Sequence, residues 1–133
     1  MISKNTDKFI VSVVNRQVNN GETDYIRESG TGSLREKDGR YYLMYKTDTA
    51  TVMMRIEGDC ANVKRTGESS SDMDYKPGKS TAFEYKTPYG TMQMEIFTKK
   101  LEYTLDEKGG VIDIKYELCD IENNMHISIK EKV

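Results

Sequence analysis

Apolar residues recur at every second position through most of this chain, and almost nowhere at the spacing of a helical face. In "KFIVSVV" the residues Phe9, Val11 and Val13 share one parity, as do Tyr41, Leu43 and Tyr45 in "RYYLMYK" and Val52, Met54 and Ile56 in "TVMMRIE". A strand turns successive side chains to opposite faces, so each run predicts a strand with one apolar side. The pattern continues with Phe83 and Tyr85, with Met92, Met94 and Ile96, with Leu101, Tyr103 and Leu105, with Ile112, Ile114, Tyr116 and Leu118, and with Met125, Ile127 and Ile129. No helix-length amphipathic segment is left over to cover these faces. The sheet must pack on itself.

Turn signals separate the runs at short intervals: "NNG" at 19–21, "KDGR" at 37–40, "EGD" at 57–59, "RTG" at 65–67, "KPGK" at 76–79, "TPYG" at 87–90 and "EKGG" at 107–110. Tight turns between short strands predict an antiparallel meander, because parallel strands need long crossovers. The stretch from Glu22 to Arg35 alternates poorly, and its Gly30 and Gly32 suit a bulge or a sharp corner of a bending sheet. A closed barrel hides its edges where a two-sheet sandwich exposes them. The expected fold is therefore all-β, an antiparallel up-and-down barrel of about 8–10 strands with little or no helix, forming one domain over residues 1–133.

Charge and composition exclude several functions. Charged residues make up 32% of the chain and the mean hydropathy is -0.72, which speaks against disorder and against membrane spanning. The first twenty residues carry too short an apolar run for a secretory segment, so the expected address is the cytoplasm, with no membrane partner. Twenty basic and twenty-two acidic side chains are interspersed, leaving a formal charge of -2 without the basic excess of a nucleic-acid binder. Lys76, Lys86, Lys99 and Lys100 lie near Tyr75, Tyr85 and Phe97, but acids alternate with them, which makes a mixed solvated surface. No nucleic-acid partner is expected.

Catalysis and metal binding find few candidates. Cys60 and Cys119 are far apart, with no Cys-x-x-Cys spacing, and read as free thiols; with the lone His126 they do not make a zinc set. Alternation places His126 on the outer side of its strand, away from any nucleophile. The charged alternates Glu95, Glu102, Lys115 and Glu117 face away from the apolar side, and each glycine pair sits at a hairpin where no helix follows to hold a phosphate. No catalytic residue, metal or cofactor is predicted.

The stretch "YKTPYGTMQMEIFTKKL", followed after one turn by "GGVIDIKYEL" and preceded by "GRYYLMYK" and "VKRTGE", resembles the YwiB-like family of small bacterial proteins of unknown function. The resemblance runs in order from about Gly39 to the C-terminus and centres on the Thr87-Pro88-Tyr89-Gly90 turn and on Gly109 and Gly110. It implies a calycin-like barrel, the architecture of lipocalins. It implies no activity. The family's strand matching "YYLMYK" often ends in acidic residues, where this chain has Lys46 and Thr47.

A barrel of this size either fills its interior or holds one small ligand. The expected lining is Leu43, Tyr45, Met54, Phe83, Tyr85, Met92, Met94 and Ile96, with Tyr89 at the rim. Flexible methionines serve both uses, since they adapt to an irregular ligand and also plug gaps in a core that has no tryptophan. Tyr41, Tyr45, Tyr85, Tyr89, Tyr103 and Tyr116 either aim hydroxyls into a wet cavity or end in solvent at strand tips. Two functions stay open: binding a small apolar or amphipathic molecule inside the barrel, or presenting a filled barrel as a protein-interaction module. A homodimer is compatible with the second but is not predicted.

Overall fold

The computed structural model describes residues 8–132, which form ten antiparallel strands. They are β1 (Phe9–Asn19), β2 (Glu22–Lys37), β3 (Arg40–Lys46), β4 (Ala50–Glu57), β5 (Cys60–Gly67), β6 (Ser70–Tyr75), β7 (Ser80–Thr87), β8 (Gly90–Asp106), β9 (Gly109–Leu118) and β10 (Ile121–Glu131). Each strand pairs with its neighbour in sequence, and β1 pairs with β10, closing the barrel from Phe9 opposite Glu131 to Val18 opposite Glu122. Tight turns make this order possible. At Asn20-Gly21 and Asp38-Gly39 both residues have positive φ, the backbone whose twist matches that of the flanking strands.

One parity of each strand points inward, and in β8 that parity changes once along the strand. Val11, Val52, Ile56, Ile96, Ile112, Ile114 and Ile127 are at most 1% exposed and make the packed centre. Both described termini lie at one end of the barrel, called here the terminal end. The turns at 20–21, 47–49, 68–69, 88–89 and 119–120 lie at the other, the hairpin end. Aromatic side chains help close the terminal end. Tyr41 donates its hydroxyl to the carbonyl of Leu105 at 2.9 Å, Tyr103 donates to that of Gly58 at 2.7 Å, and the two rings meet edge to face at 6.2 Å.

Two devices bend the sheet. Gly30 and Gly32 sit where β2 leaves β1 and begins to pair with β3; there is no bulge at that point. A Cβ on Gly32 would lie 1.8 Å from the carbonyl oxygen of Met44, and one on Gly30 would lie 2.1 Å from that of Lys46. The corner is sharp because nothing but hydrogen projects there. The second device is a bulge in β8, whose pairing with β9 slips by one residue between Thr98, opposite Tyr116, and Lys100, opposite Lys115. Lys99 is the extra residue. The turn after β6 pins it: Gly78 donates to the Thr98 carbonyl at 2.8 Å and the Thr98 amide donates to Lys79 at 3.2 Å.

That bulge corrects the reading of "TMQMEI" and "KLEYTL" as separate strands. They are halves of one 17-residue strand, with Ile96 and Thr98 facing inward before the slip and Leu101 and Tyr103 after it. Conversely, β5 and β6 carry no clear apolar alternation and are strands nonetheless.

Candidate functional site

The interior is solid through its middle and hollow toward the hairpin end. A half-open cavity of about 550 Å³ lies there, walled by Val13, Val52, Met54, Val63, Met73, Met125 and Ile127 and by polar groups from β1, β2, β3, β5, β6 and β9. Three conditions shape it. Beyond Gly30 the N-terminal half of β2 pairs with β1 alone, because β3 ends at Lys46, opposite Thr31. β6 and β7 pair only through Ser70 with Lys86 and Ser71 with Tyr85. Finally, toward the hairpin end the inward positions of β5 and β6 hold Val63, Arg65, Ser71 and Met73, none of them fully buried, whereas Ala61 and Tyr75 nearer the terminal end are buried.

An ion pair projects inward on one wall. Glu28 on β2 lies opposite Val13, hence inside, and accepts hydrogen bonds from both terminal nitrogens of Arg65 on β5, one of them at 3.0 Å from Nη1 to Oε1. The two strands are not neighbours in the sheet, so the pair spans the opening between them. Hydrogen bonding to Glu28 holds the Arg65 guanidinium above its ordinary pKa, against the opposing effect of burial. Their side chains are 21% and 37% exposed, which makes this a pair at a mouth more than a buried one. Tyr45 stands beside it, its phenol pushed well up by burial and then by the Glu28 carboxylate.

A chain of amides occupies the wall formed by β1 and β10. Asn123 donates from Nδ2 to the carbonyl of Ile121 at 3.0 Å, which orients its amide and leaves Oδ1 as an acceptor. Asn15 and Gln17 both donate to that oxygen, at 3.0 and 2.9 Å. Asn15 Nδ2 also approaches the Tyr116 hydroxyl at 3.5 Å. Its Oδ1 is buried with no partner among the described residues. Below it the rings of Tyr75 and Tyr116 meet edge to face at 5.2 Å, and burial raises both phenols.

These tyrosines make stability fall at high pH. Tyr45, Tyr75 and Tyr116 hold their protons more tightly folded than unfolded, so their contribution is complete below the ordinary phenol value of about 10 and declines as pH rises above it. In an alkaline titration, tyrosinate absorbance from these three is expected to appear together with loss of the fold. Ionisation of all nine tyrosines without unfolding would contradict their burial.

Of the residues expected to line a pocket, the cavity receives Tyr45 and Met54. Leu43, Phe83 and Ile96 lie in the packed core, and Tyr85 and Met94 are half-buried against it. Met92 shares the parity of Ile96 but is half exposed, because the β7–β8 hairpin runs past the end of β9 at Leu118. Tyr89 stands at the rim, 98% exposed at the tip of that hairpin, and is not among the residues that wall the hairpin-end cavity. His126 does face outward, its Nδ1 2.6 Å from Asp113. Cys60 and Cys119 are free and sit at opposite ends of the barrel.

Alternation alone misses Asn15, Glu28, Arg65, Ser71 and Met73. The signal that could have found them is the failure of alternation. The segments that read poorly as strands, Glu22–Arg35 and the two after Cys60, wall the hollow, where the inward positions no longer need to be apolar. A wider hollow of about 1040 Å³ at the terminal end mixes residues from both faces of the wall, Met53 with Met54 and Met44 with Leu43, and so does not form one concave site.

The comparisons agree with this architecture. The uncharacterized beta-barrel protein YwiB of Bacillus subtilis (strain 168) is 28% identical over 103 residues, 74% of this chain and 72% of YwiB. The crystal structure of the ywiB protein from Bacillus subtilis matches with a TM-score of 0.88 at 24% identity, covering 98% of this chain and 95% of that one, which shows a shared fold. A family model described as a domain of unknown function, DUF1934, matches residues 11–129, from β1 to β10. The chain belongs to the DUF1934 family, and its own fold is this ten-stranded barrel.

Proposed function

We propose that this barrel binds a small amphipathic molecule in its hairpin-end cavity, in the cytoplasm and without catalysis. The cavity carries the reading: about 550 Å³ is within the range of roughly 300–1,000 Å³ found for small-molecule sites, and apolar walls with a few convergent polar groups are their usual lining. Met54, Met73 and Met125 supply flexible side chains that fit irregular tails. The outer faces carry charge, including Arg16, Lys99 and Lys115, as suits a barrel surrounded by water. No helix among the described residues is long and apolar enough to cross a membrane.

N-phenylnaphthylamine, an uncharged probe that brightens in apolar surroundings, is expected to bind saturably at one site. Met73→Trp fills the cavity and is expected to abolish that binding while the denaturation midpoint stays near that of the parent. A parent protein that gives no saturable signal, or a Met73→Trp protein that binds as before, overturns the reading.

A further inference from the structure

We infer that the ligand of this cavity is an uncharged amphipath whose head carries hydroxyl or amide N–H groups, and that the Glu28–Arg65 pair selects against carboxylates. This rests on the cavity-binding reading above and names the class of molecule it would take. Three observations converge on it.

The first is the orphaned acceptor. Because Asn123 is oriented by the Ile121 carbonyl, the Asn15 amide must present its nitrogen to Asn123 and its oxygen elsewhere. That oxygen is closed off within the cavity wall with no donor among the described residues, so an occupant reaches it when the Asn15 side chain shifts toward the cavity. A buried acceptor left unpaired is costly, so the site favours an occupant that brings an O–H or N–H.

The second is charge. Glu28 and Arg65 neutralise each other at the mouth, and among the described residues no other ionised group is paired with either. A carboxylate entering here meets Arg65 already engaged at both terminal nitrogens and meets Glu28 as a like charge in a partly dehydrated space. An alcohol or amide meets no such conflict. It can donate to the spare lone pairs of Glu28 and accept from the guanidinium N–H groups that Glu28 does not use.

The third is the placement of these groups on one cavity. Asn15 on β1 and the ion pair from β2 and β5 belong to the same lining as the apolar side chains of Val52, Met54, Met73 and Ile127. A tail against the apolar wall leaves a head among polar groups that are themselves uncharged or mutually neutralised.

The test displaces N-phenylnaphthylamine with monodecanoylglycerol or with decanoate at neutral pH, below their micelle concentrations. The parent protein is expected to prefer the glyceride by about tenfold, the worth of one hydrogen bond to a charged or buried group. Asn15→Ala is expected to weaken the glyceride by a similar factor. Glu28→Gln removes the competing carboxylate and frees Arg65, so decanoate is expected to become the better competitor. If Glu28→Gln does not fold, the paired replacement Glu28→Met with Arg65→Met, made in the Asn15→Ala protein so that no head-group contact remains, is expected to bind both competitors equally through their common tail. Equal binding by the parent, no gain for decanoate in Glu28→Gln, or discrimination persisting in the combined replacement each overturns the inference. If the probe itself fails to bind, the cavity-binding reading fails instead.

Discussion

Gly32→Ala is expected to cost at least about 4 kcal/mol, the range reached only by a few severe mechanisms, and to leave little folded protein at ambient temperature. The new Cβ would lie 1.8 Å from the carbonyl oxygen of Met44 and 2.6 Å from the Cα of Tyr45, so the obstruction is backbone and cannot turn aside. β3 has no room to retreat, because Leu43 and Tyr45 pair with Met54 and Val52 on its other side. Gly21→Ala is the control. That glycine has φ of 80° with nothing within 4 Å of an added Cβ, so its cost is the conformational one of about 1 kcal/mol. Urea midpoints followed by tyrosine fluorescence check both, and a Gly32→Ala midpoint equal to the control's would mean that the corner is looser than described.

Inserting one alanine between Lys100 and Leu101 is expected to prevent folding altogether. The bulge stays, but every residue of β8 after the insertion must either turn its side chain to the other face or drag the strand out of register with β9. Leu101, Tyr103 and Leu105 would then face solvent while Glu102 and Thr104 faced inward, Glu102 opposite Ile112. Deleting Lys99 is the opposite case, since it leaves Thr98 and Leu101 both inward on either side of Lys100 in a regular strand. Lys99→Ala keeps the bulge and loses only exposed ion pairs with Glu117 and Glu122, at 2.9 and 3.0 Å, so a small change is expected. Circular dichroism and size-exclusion of the purified variants separate the two outcomes. A soluble insertion variant with native sheet content would show that β8 can find another register.

These two positions mark where local pattern stops informing on the fold. Parity is a property of adjacent residues, so the inward direction of Val11, Val52, Ile112 and Ile127 is legible without knowing any partner strand. Closure is legible too, because apolar faces with no helix to cover them have to meet one another. The continuity of β8 is not legible. The phase change between Ile96 and Leu101 looks the same whether a turn or a bulge causes it, and only the continuous pairing with β9 and the hydrogen bonds Thr98 makes, accepting from Gly78 and donating to the Lys79 carbonyl, decide for the bulge.

The site was less legible than the fold for a connected reason. Apolar alternation reports where side chains touch one another, and a cavity is where they do not. The lining expected from it, from Leu43 to Ile96, falls largely in the packed centre, while the hollow is walled by Glu28, Arg65, Ser71 and Met73 on strands whose pattern is broken. Glu28 and Arg65 are 37 residues apart in sequence and on strands that are not neighbours, so nothing short of the closed barrel brings them together.

The most direct test of the account is the response of the methionine methyl groups to monodecanoylglycerol, read by nuclear magnetic resonance of methyl-labelled protein. Met54, Met73 and Met125 line the cavity, and the outward-facing Met44 and Met53 serve as internal controls. The expected result is saturable shifts of the first three with the other two unmoved. Shifts confined to Met44 and Met53, or none at any methionine up to saturation of the solution, would contradict it.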